Sequence, residues 1–259
     1  TMTRRLFALI GMLAAMAWPI AAHGDITTYT QDFEGLELAG SSTSAPNSLS
    51  NDGWKVYGNV FLANGSYQYG YGPFAAPNGG PGFSAVATDP FGPRPNTKYL
   101  NVYSDYNSEA HANGKYNEAL VFQERTIGAS NVGAGKAFSF SFDHLKNGPI
   151  NGDGDSRTFA FVKVLKSSDF SYALLGQIEF ETTNASTSTW ANHAMQLAAT
   201  DLSWAGELVQ FGFRSYATNY KDTGRFYDNL NFSAVPEPSS VGLLSASMLG
   251  FLFRRRRAA

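Results

Sequence analysis

Ala137-Phe138-Ser139-Phe140-Ser141-Phe142 is the stretch that decides the fold. Its strict alternation puts three phenylalanines on one face of an extended chain and small residues on the other, the period of a half-buried strand. Thr158-Phe159-Ala160-Phe161-Val162-Lys163-Val164 repeats the pattern, as do Leu208 to Arg214 and Phe226 to Phe232. Further strand candidates are Thr28 to Glu34, Trp54 to Phe61, Ser84 to Thr88, Tyr99 to Ser104, Ala119 to Thr126, Ala173 to Phe180 and Thr189 to Leu197. Clusters of Gly, Pro, Asn and Asp punctuate them. No helical period lasts beyond two turns except at the two ends. Many strands, frequent turns and almost no helix predict an all-β domain, a two-sheet antiparallel β-sandwich.

Composition agrees with one such domain. The chain has 259 residues, 43% hydrophobic and only 15% charged, with 20 Phe and 13 Tyr. That is too apolar and aromatic for a disordered chain. The 26 glycines follow no period of three, which excludes collagen. With no Cys there is no disulfide, thiolate metal site or cysteine nucleophile. The formal charge of −2 hides an asymmetry. Six of 19 basic residues are Arg4, Arg5 and Arg254 to Arg257, while all 21 acidic residues lie between Asp25 and Glu237. The middle therefore holds 13 basic against 21 acidic residues, a charge of −8. Such a surface repels phosphate backbones, so no nucleic-acid partner is expected.

The ends read as addresses. Arg4-Arg5, the apolar run Leu6 to Ala17 and the small residues at Ala21-Ala22 form a signal peptide over residues 1–24, with cleavage after Ala22 or Gly24. The other end holds Pro236-Glu237-Pro238, then the apolar run Val241 to Phe253, then Arg254, Arg255, Arg256 and Arg257. The 13 apolar residues are short of the ~20 that a full span needs, but snorkelling arginines extend the run. The arginines keep this end cytoplasmic, with the domain outside. The two prolines hold Glu237 in an extended segment open to a protease. The domains are then residues 1–24, the sandwich 25–234 and the tail 235–259, a transmembrane helix with its flanks.

In its order of parts, this tail resembles the PEP-CTERM sorting signal of Gram-negative bacteria. The resemblance implies an exosortase as partner, cleavage near Pro236-Glu237-Pro238, and release or transfer to the cell exterior. It also implies association with exopolysaccharide or a biofilm matrix. The middle resembles the jelly-roll sandwiches of carbohydrate-binding modules and galactose-binding-like domains. Asp32-Phe33-Glu34 opens the domain, Trp190 to Leu197 leads into Gly206 to Phe213, and Phe226-Tyr227-Asp228-Asn229-Leu230 closes it. That resemblance implies an opening strand paired with the closing one, and a structural Ca²⁺ held by Glu34 and Asp228, since calcium takes several oxygen ligands. The competing reading has Asp228 capping a turn or pairing with Arg225. Asn151-Gly152-Asp153-Gly154-Asp155 also alternates oxygen-bearing residues, but a plain turn between two strands is the stronger reading.

Chemistry-bearing motifs are sparse. The four histidines are scattered, and no nucleophile elbow, H-E-x-x-H or phosphate loop occurs. One enzymatic alternative is specific. Cleavage after Ala22 makes His23 the N-terminus, and with His111, His144 or His193 it would form the copper brace of oxidative polysaccharide-cleaving enzymes. A ligand face is expected around the segment Gly70 to Pro95, where 12 of 26 residues are Gly or Pro. Trp54, Tyr69 and Tyr71 are the candidate sugar platform there, with Tyr57, Tyr67, Phe74, Tyr103 and Tyr106 nearby. Alternation places Tyr67, Tyr69 and Tyr71 on one face, which suits a strand with one side in the core as well as a binding surface. The leading function is a non-enzymatic exported surface or matrix protein. The alternatives are a carbohydrate-binding module with a structural calcium, and a polysaccharide-active enzyme.

Overall fold

The computed structural model describes residues 25–38, 46–77, 84–88, 98–104, 114–146, 156–217 and 224–236. Within them the chain forms β1 (Tyr29–Gln31), β2 (Lys55–Phe61), β3 (Tyr67–Ala75), β4 (Ser84–Ala87), β5 (Tyr99–Val102) and β6 (Tyr116–Thr126). There follow β7 (Lys136–Lys146), β8 (Arg157–Leu165), β9 (Leu174–Glu181), β10 (Ala191–Ala198), β11 (Leu208–Ala217) and β12 (Arg225–Pro236). Short 3₁₀ turns cover Ala129–Asn131 and Leu202–Trp204. The signal peptide, Glu237, Pro238, the apolar run, Arg254 to Arg257, His23, His111, Tyr106 and Asn151 to Asp155 lie outside the described residues. Among the described residues no helix is long and apolar enough to cross a membrane.

The strands make two antiparallel sheets, as the alternation predicts. The first runs β10-β7-β12-β5-β4, with β1 also beside β12; the second runs β3-β2-β6-β11-β8-β9. β12 pairs with β7 along its length, with β5 at its start, and with β1 through Leu230–Phe232. The opening and closing strands therefore meet, Tyr29 opposite Phe232 and Gln31 opposite Leu230. A bulge between Asp228 and Asn231 separates the β5-paired and β1-paired halves of β12. Asn229 sits in this bulge at φ 50°, a conformation that Asn tolerates better than most residues.

The phenylalanine faces meet between the sheets. Phe138, Phe140 and Phe142 of β7 are buried with Phe211 and Phe213 of β11 and Phe232 of β12. Several ring pairs join the sheets directly. Phe211 lies on Phe232 at 3.8 Å with 8° between planes, and Phe213 on Tyr227 at 3.6 Å and 14°. Such pairs add about 0.5–1.5 kcal/mol each beyond the area they bury. Tyr227 also shares a hydrogen bond with Thr182 at 2.8 Å, so its polar tip is satisfied inside the core. Burial pushes its hydroxyl up to about 12.

The Gly/Pro-rich segment begins as strand, in keeping with the strand reading of its tyrosines: β3 continues to Ala75 and pairs with β2. The expected common face of Tyr67, Tyr69 and Tyr71 is corrected. Tyr69 opposes Val60, but Tyr67 opposes Phe61, so two residues of β3 face a single step of β2. This irregularity inverts the parity and sends Tyr67 to the other side, where its ring meets Phe61 at 5.8 Å.

Candidate functional site

Trp54 is not part of an exposed platform. It is 1% exposed and belongs to the main core. Its indole N–H donates to the Tyr29 hydroxyl at 3.0 Å and to Asp52 Oδ2 at 3.1 Å. The same Oδ2 accepts from the Tyr29 hydroxyl and from Gln31 Nε2, and Gln123 Nε2 donates to the Asp52 carbonyl at 2.7 Å. Burial and the neighbouring Asp52 charge push the Tyr29 hydroxyl far above its ordinary value. The physical reason is placement: Trp54 precedes β2 and caps the core rather than standing on a strand's outer side. Tyr71 is half-buried against the same core, over Gly58. Tyr69 alone of the expected three is exposed, at 47%, on edge strand β3.

The aromatic surface forms elsewhere, on the outer face of the second sheet. Register aligns its outward residues in rows. Lys55, Phe122, Gly212 and Phe161 make one row, Tyr57, Leu120, Arg214 and Phe159 the next, and Asn59, Glu118, Tyr216 and Arg157 the third. Leu120, Phe122 and Phe161 form a small apolar cluster capped by Tyr57. Tyr57 in turn lies across Gly70, where a Cβ would collide with its ring. Two grooves open on this face. One, of about 610 Å³, is lined by Phe61, Tyr116, Glu118, Arg157, Arg214 and Tyr216 with the turn at Ala63–Gly65. The other, of about 570 Å³, includes Tyr57, Asn59, Phe122, Lys163, Tyr172 and Gln210.

The charges here are mutually paired. Arg214 meets Glu179 at 2.7 Å and Glu118 at 2.9 Å, and Glu118 accepts from Asn59 Nδ2 at 2.8 Å. Burial opposes the Arg214 charge, but the hydrogen bond it donates to Glu179 and the charges of Glu118 and Glu179 hold its guanidinium above the ordinary value. Arg214 lies 4.0 Å from the centre of the Phe159 ring, which stacks on Tyr216. Lys55 pairs with Glu124 at 2.9 Å, and Arg157 with Glu181 at 2.7 Å. Lys163 stands 4.9 Å over Phe161; burial pulls its ammonium down against the opposing charge of Glu118. Aromatic faces beside amide and carboxylate oxygens suit a polyhydroxylated ligand, whose C–H faces stack and whose hydroxyls hydrogen-bond.

The expected calcium ligands each find a partner in the chain. Glu34 Oε1 accepts the backbone N–H of Lys98 at 3.1 Å. The Lys98 ammonium holds the carbonyls of Glu34 and Leu36 at 3.0 and 2.6 Å, so a cation is already supplied there by a side chain. Asp228 is fully buried, and its Oδ1 accepts the N–H of Asn229 at 2.7 Å. Among the described residues, no group of three or more His, Asp and Glu is placed to hold a metal. His144 and His193, candidates for a copper brace, are both against Phe142 and Phe180 between the sheets.

Tyr116, Tyr216, Phe61 and Arg214 were not singled out by sequence reasoning. Their signal was present in the outward positions of the strands, such as Tyr57-Asn59-Phe61 interleaved with Val56-Gly58-Val60. Alternation alone does not show which outward faces align.

Residues 234–257 match the PEP-CTERM protein-sorting motif, so the chain carries this sorting signal. No curated protein matches the chain. Among solved structures it is similar to the enzymatically active domain of bacteriophage CBA120 tailspike protein 4, at 8% identity and a TM-score of 0.42, covering 76% of this chain and 21% of that one. It is similar to the CBM22-1 xylan-binding domain from Paenibacillus barcinonensis Xyn10C, at 10% identity and a TM-score of 0.41, covering 80% and 94%. It is also similar to a cyclase from Fischerella sp. TAU, at 13% and 0.41, covering 82% and 100%. The chain thus spans about a fifth of the tailspike domain's chain. At these values the likenesses assign neither ligand nor activity.

Proposed function

We propose that this chain is a non-enzymatic surface or extracellular-matrix protein, processed by an exosortase and associated with exopolysaccharide or biofilm. The sorting motif at residues 234–257 carries the reading. It grows directly out of the domain, since Ala234, Val235 and Pro236 are at once its first residues and the last of β12. They pair with Phe138, Ala137 and Lys136, so the folded sandwich ends where the processing segment begins. Replacing Pro236, Glu237 and Pro238 together by alanine should leave a larger, membrane-bound species in a host that has the exosortase. Normal maturation of that variant overturns the reading.

Within that role, the outer face of the second sheet binds polysaccharide. What favours this is that Tyr57 in one groove, and Tyr116 and Tyr216 in the other, stand beside Asn59, Glu118 and Gln210, with the arginine charges paired. The test is titration of the purified protein with soluble polysaccharides, read by calorimetry.

A further inference from the structure

One end of the sandwich gathers exposed apolar side chains around the exit of the chain. β12 ends there at Pro236, opposite Lys136. β11 starts there at Leu208, opposite Leu165, because the Phe211–Phe232 stack sets β11 and β12 side by side in this sense. The β8–β9 connection, residues 166–173, and the segment from Ala199 to Glu207 between β10 and β11 are therefore at the same end. Phe170 is 82% exposed and Leu202 68% exposed, and Tyr172 and Leu174 are exposed as well.

These side chains are held out by a braced scaffold. Glu207 accepts the backbone N–H groups of Ser167 and Ser168 and both their hydroxyls. Lys166 pairs with Asp169 at 2.7 Å, and its backbone exchanges hydrogen bonds with Tyr172 and Ala173. Trp204 packs over Gly176, tying the Leu202 segment to the start of β9. Phe170 and Tyr172 take φ of 57° and 51°, a region that aromatic residues rarely adopt. Such conformations persist where surrounding contacts over-determine them. The segment is also linked to the exit strand, for Ala199 N–H donates to the carbonyl of Lys136, which pairs with Pro236.

The distance to a membrane follows from the sequence. Only Glu237 to Ser240 separate Pro236 from the apolar run Val241 to Phe253. The five steps from Pro236 to Val241 reach at most about 18 Å. While that run is held in the bilayer, this end of the sandwich cannot stand far from the headgroups.

We infer that Phe170, Tyr172 and Leu202 form a membrane-contacting surface that rests in the lipid interface of the unprocessed precursor. Amphipathic aromatic rings favour that interface, and apolar area buried there adds to anchoring. The surface orients the domain at the membrane, with Pro236 against the lipid, and is uncovered when the tail is cut. This rests on the membrane-held precursor implied by the sorting motif.

The chain has no cysteine, so Phe170→Cys, Leu202→Cys and Thr187→Cys each give one labelling site outside the core. Thr187 lies in the β9–β10 connection at the opposite end, beside Ser186, whose carbonyl accepts the Lys146 N–H. Each full-length variant is expressed without the exosortase, and spheroplasts are treated with a membrane-impermeant maleimide. In the precursor, Phe170→Cys and Leu202→Cys should lose most of their reactivity relative to Thr187→Cys. Co-expressed exosortase should restore it in the released protein. Equal reactivity of all three in a membrane-bound precursor overturns the contact surface alone. Protection that persists after release points to a second copy as occupant and overturns it too. A precursor absent from the membrane fraction overturns the anchored reading beneath it.

Discussion

The Trp54 indole and the Tyr29 hydroxyl donate to the same oxygen of Asp52, at 3.1 and 2.5 Å. The contact ties the opening strand to the residue that leads into β2, and encloses a polar knot beneath the aromatic core. Trp54→Ala should cost about 3–5 kcal/mol, because it opens a cavity and leaves the carboxylate short of a donor. Trp54→Phe keeps most of the packing and should cost about 1 kcal/mol less-bonded stability. Chemical denaturation separates the two. A Trp54→Ala protein as stable as the parent would return this residue to the surface.

Tyr57 and Tyr216 are expected to behave in the opposite way. Both stand on the outer face of the second sheet, so Tyr57→Ala and Tyr216→Ala should weaken polysaccharide binding while moving the melting temperature little. Gly70→Ala should also weaken binding, by driving the Tyr57 ring off its seat. Calorimetric titration alongside thermal melts tests both halves. Undiminished affinity in all three variants places any sugar site elsewhere.

Lys98 predicts how the domain responds to calcium. Its ammonium already occupies the carbonyls of Glu34 and Leu36. The parent should therefore melt at the same temperature with and without a chelator, whereas Lys98→Met should melt lower. A calcium site that involves Glu34 and Asp228 would instead show as a chelator-sensitive melt that Asp228→Ala abolishes. Metal at a hundredfold excess over its dissociation constant would be worth about 2.7 kcal/mol, well within detection.

Acid should destabilise the sandwich through its interior histidines. Burial, then the His193 charge, pulls His144 below its ordinary 6.5; the Asp143 charge opposes this and that of Arg225 adds to it. Burial does the same to His193. With the folded values depressed, the unfolded chain takes up protons first as the pH falls through 6.5, so stability declines from there downward and is flat above it. Urea unfolding between pH 8 and pH 5 checks the slope. His144→Gln combined with His193→Gln should flatten it, and an unchanged slope assigns it to other groups.

Much of the architecture was legible in the residues. The alternating phenylalanines of β7 and β11 specify strands with a buried side, and eleven of the twelve strands among the described residues fall on stretches that read as strands. β3 was marked only by the alternation of Tyr67, Tyr69 and Tyr71, because Gly70, Gly72 and Pro73 carry turn chemistry yet sit on an edge strand where a missing donor is tolerated. The sorting signal was legible because it is a local string, read without reference to the rest of the chain.

Side of sheet and partner across it were not legible. A period of two says that neighbours point opposite ways, but a single irregularity between β2 and β3 moved Tyr67 away from Tyr69 and Tyr71. Trp54 reads as a surface aromatic at the start of a strand until Tyr29 and Asp52 close over it. Arg214 meets Glu179 and Glu118 from 35 and 96 residues away, pairings that depend on sheet register alone. Local propensity, hydrophobic alternation and the sorting string were thus fixed residue by residue. The outer aromatic face, the buried knot and the apolar end beside Pro236 were decided by tertiary structure, because they are made by strands distant in sequence whose neighbours only register and packing select.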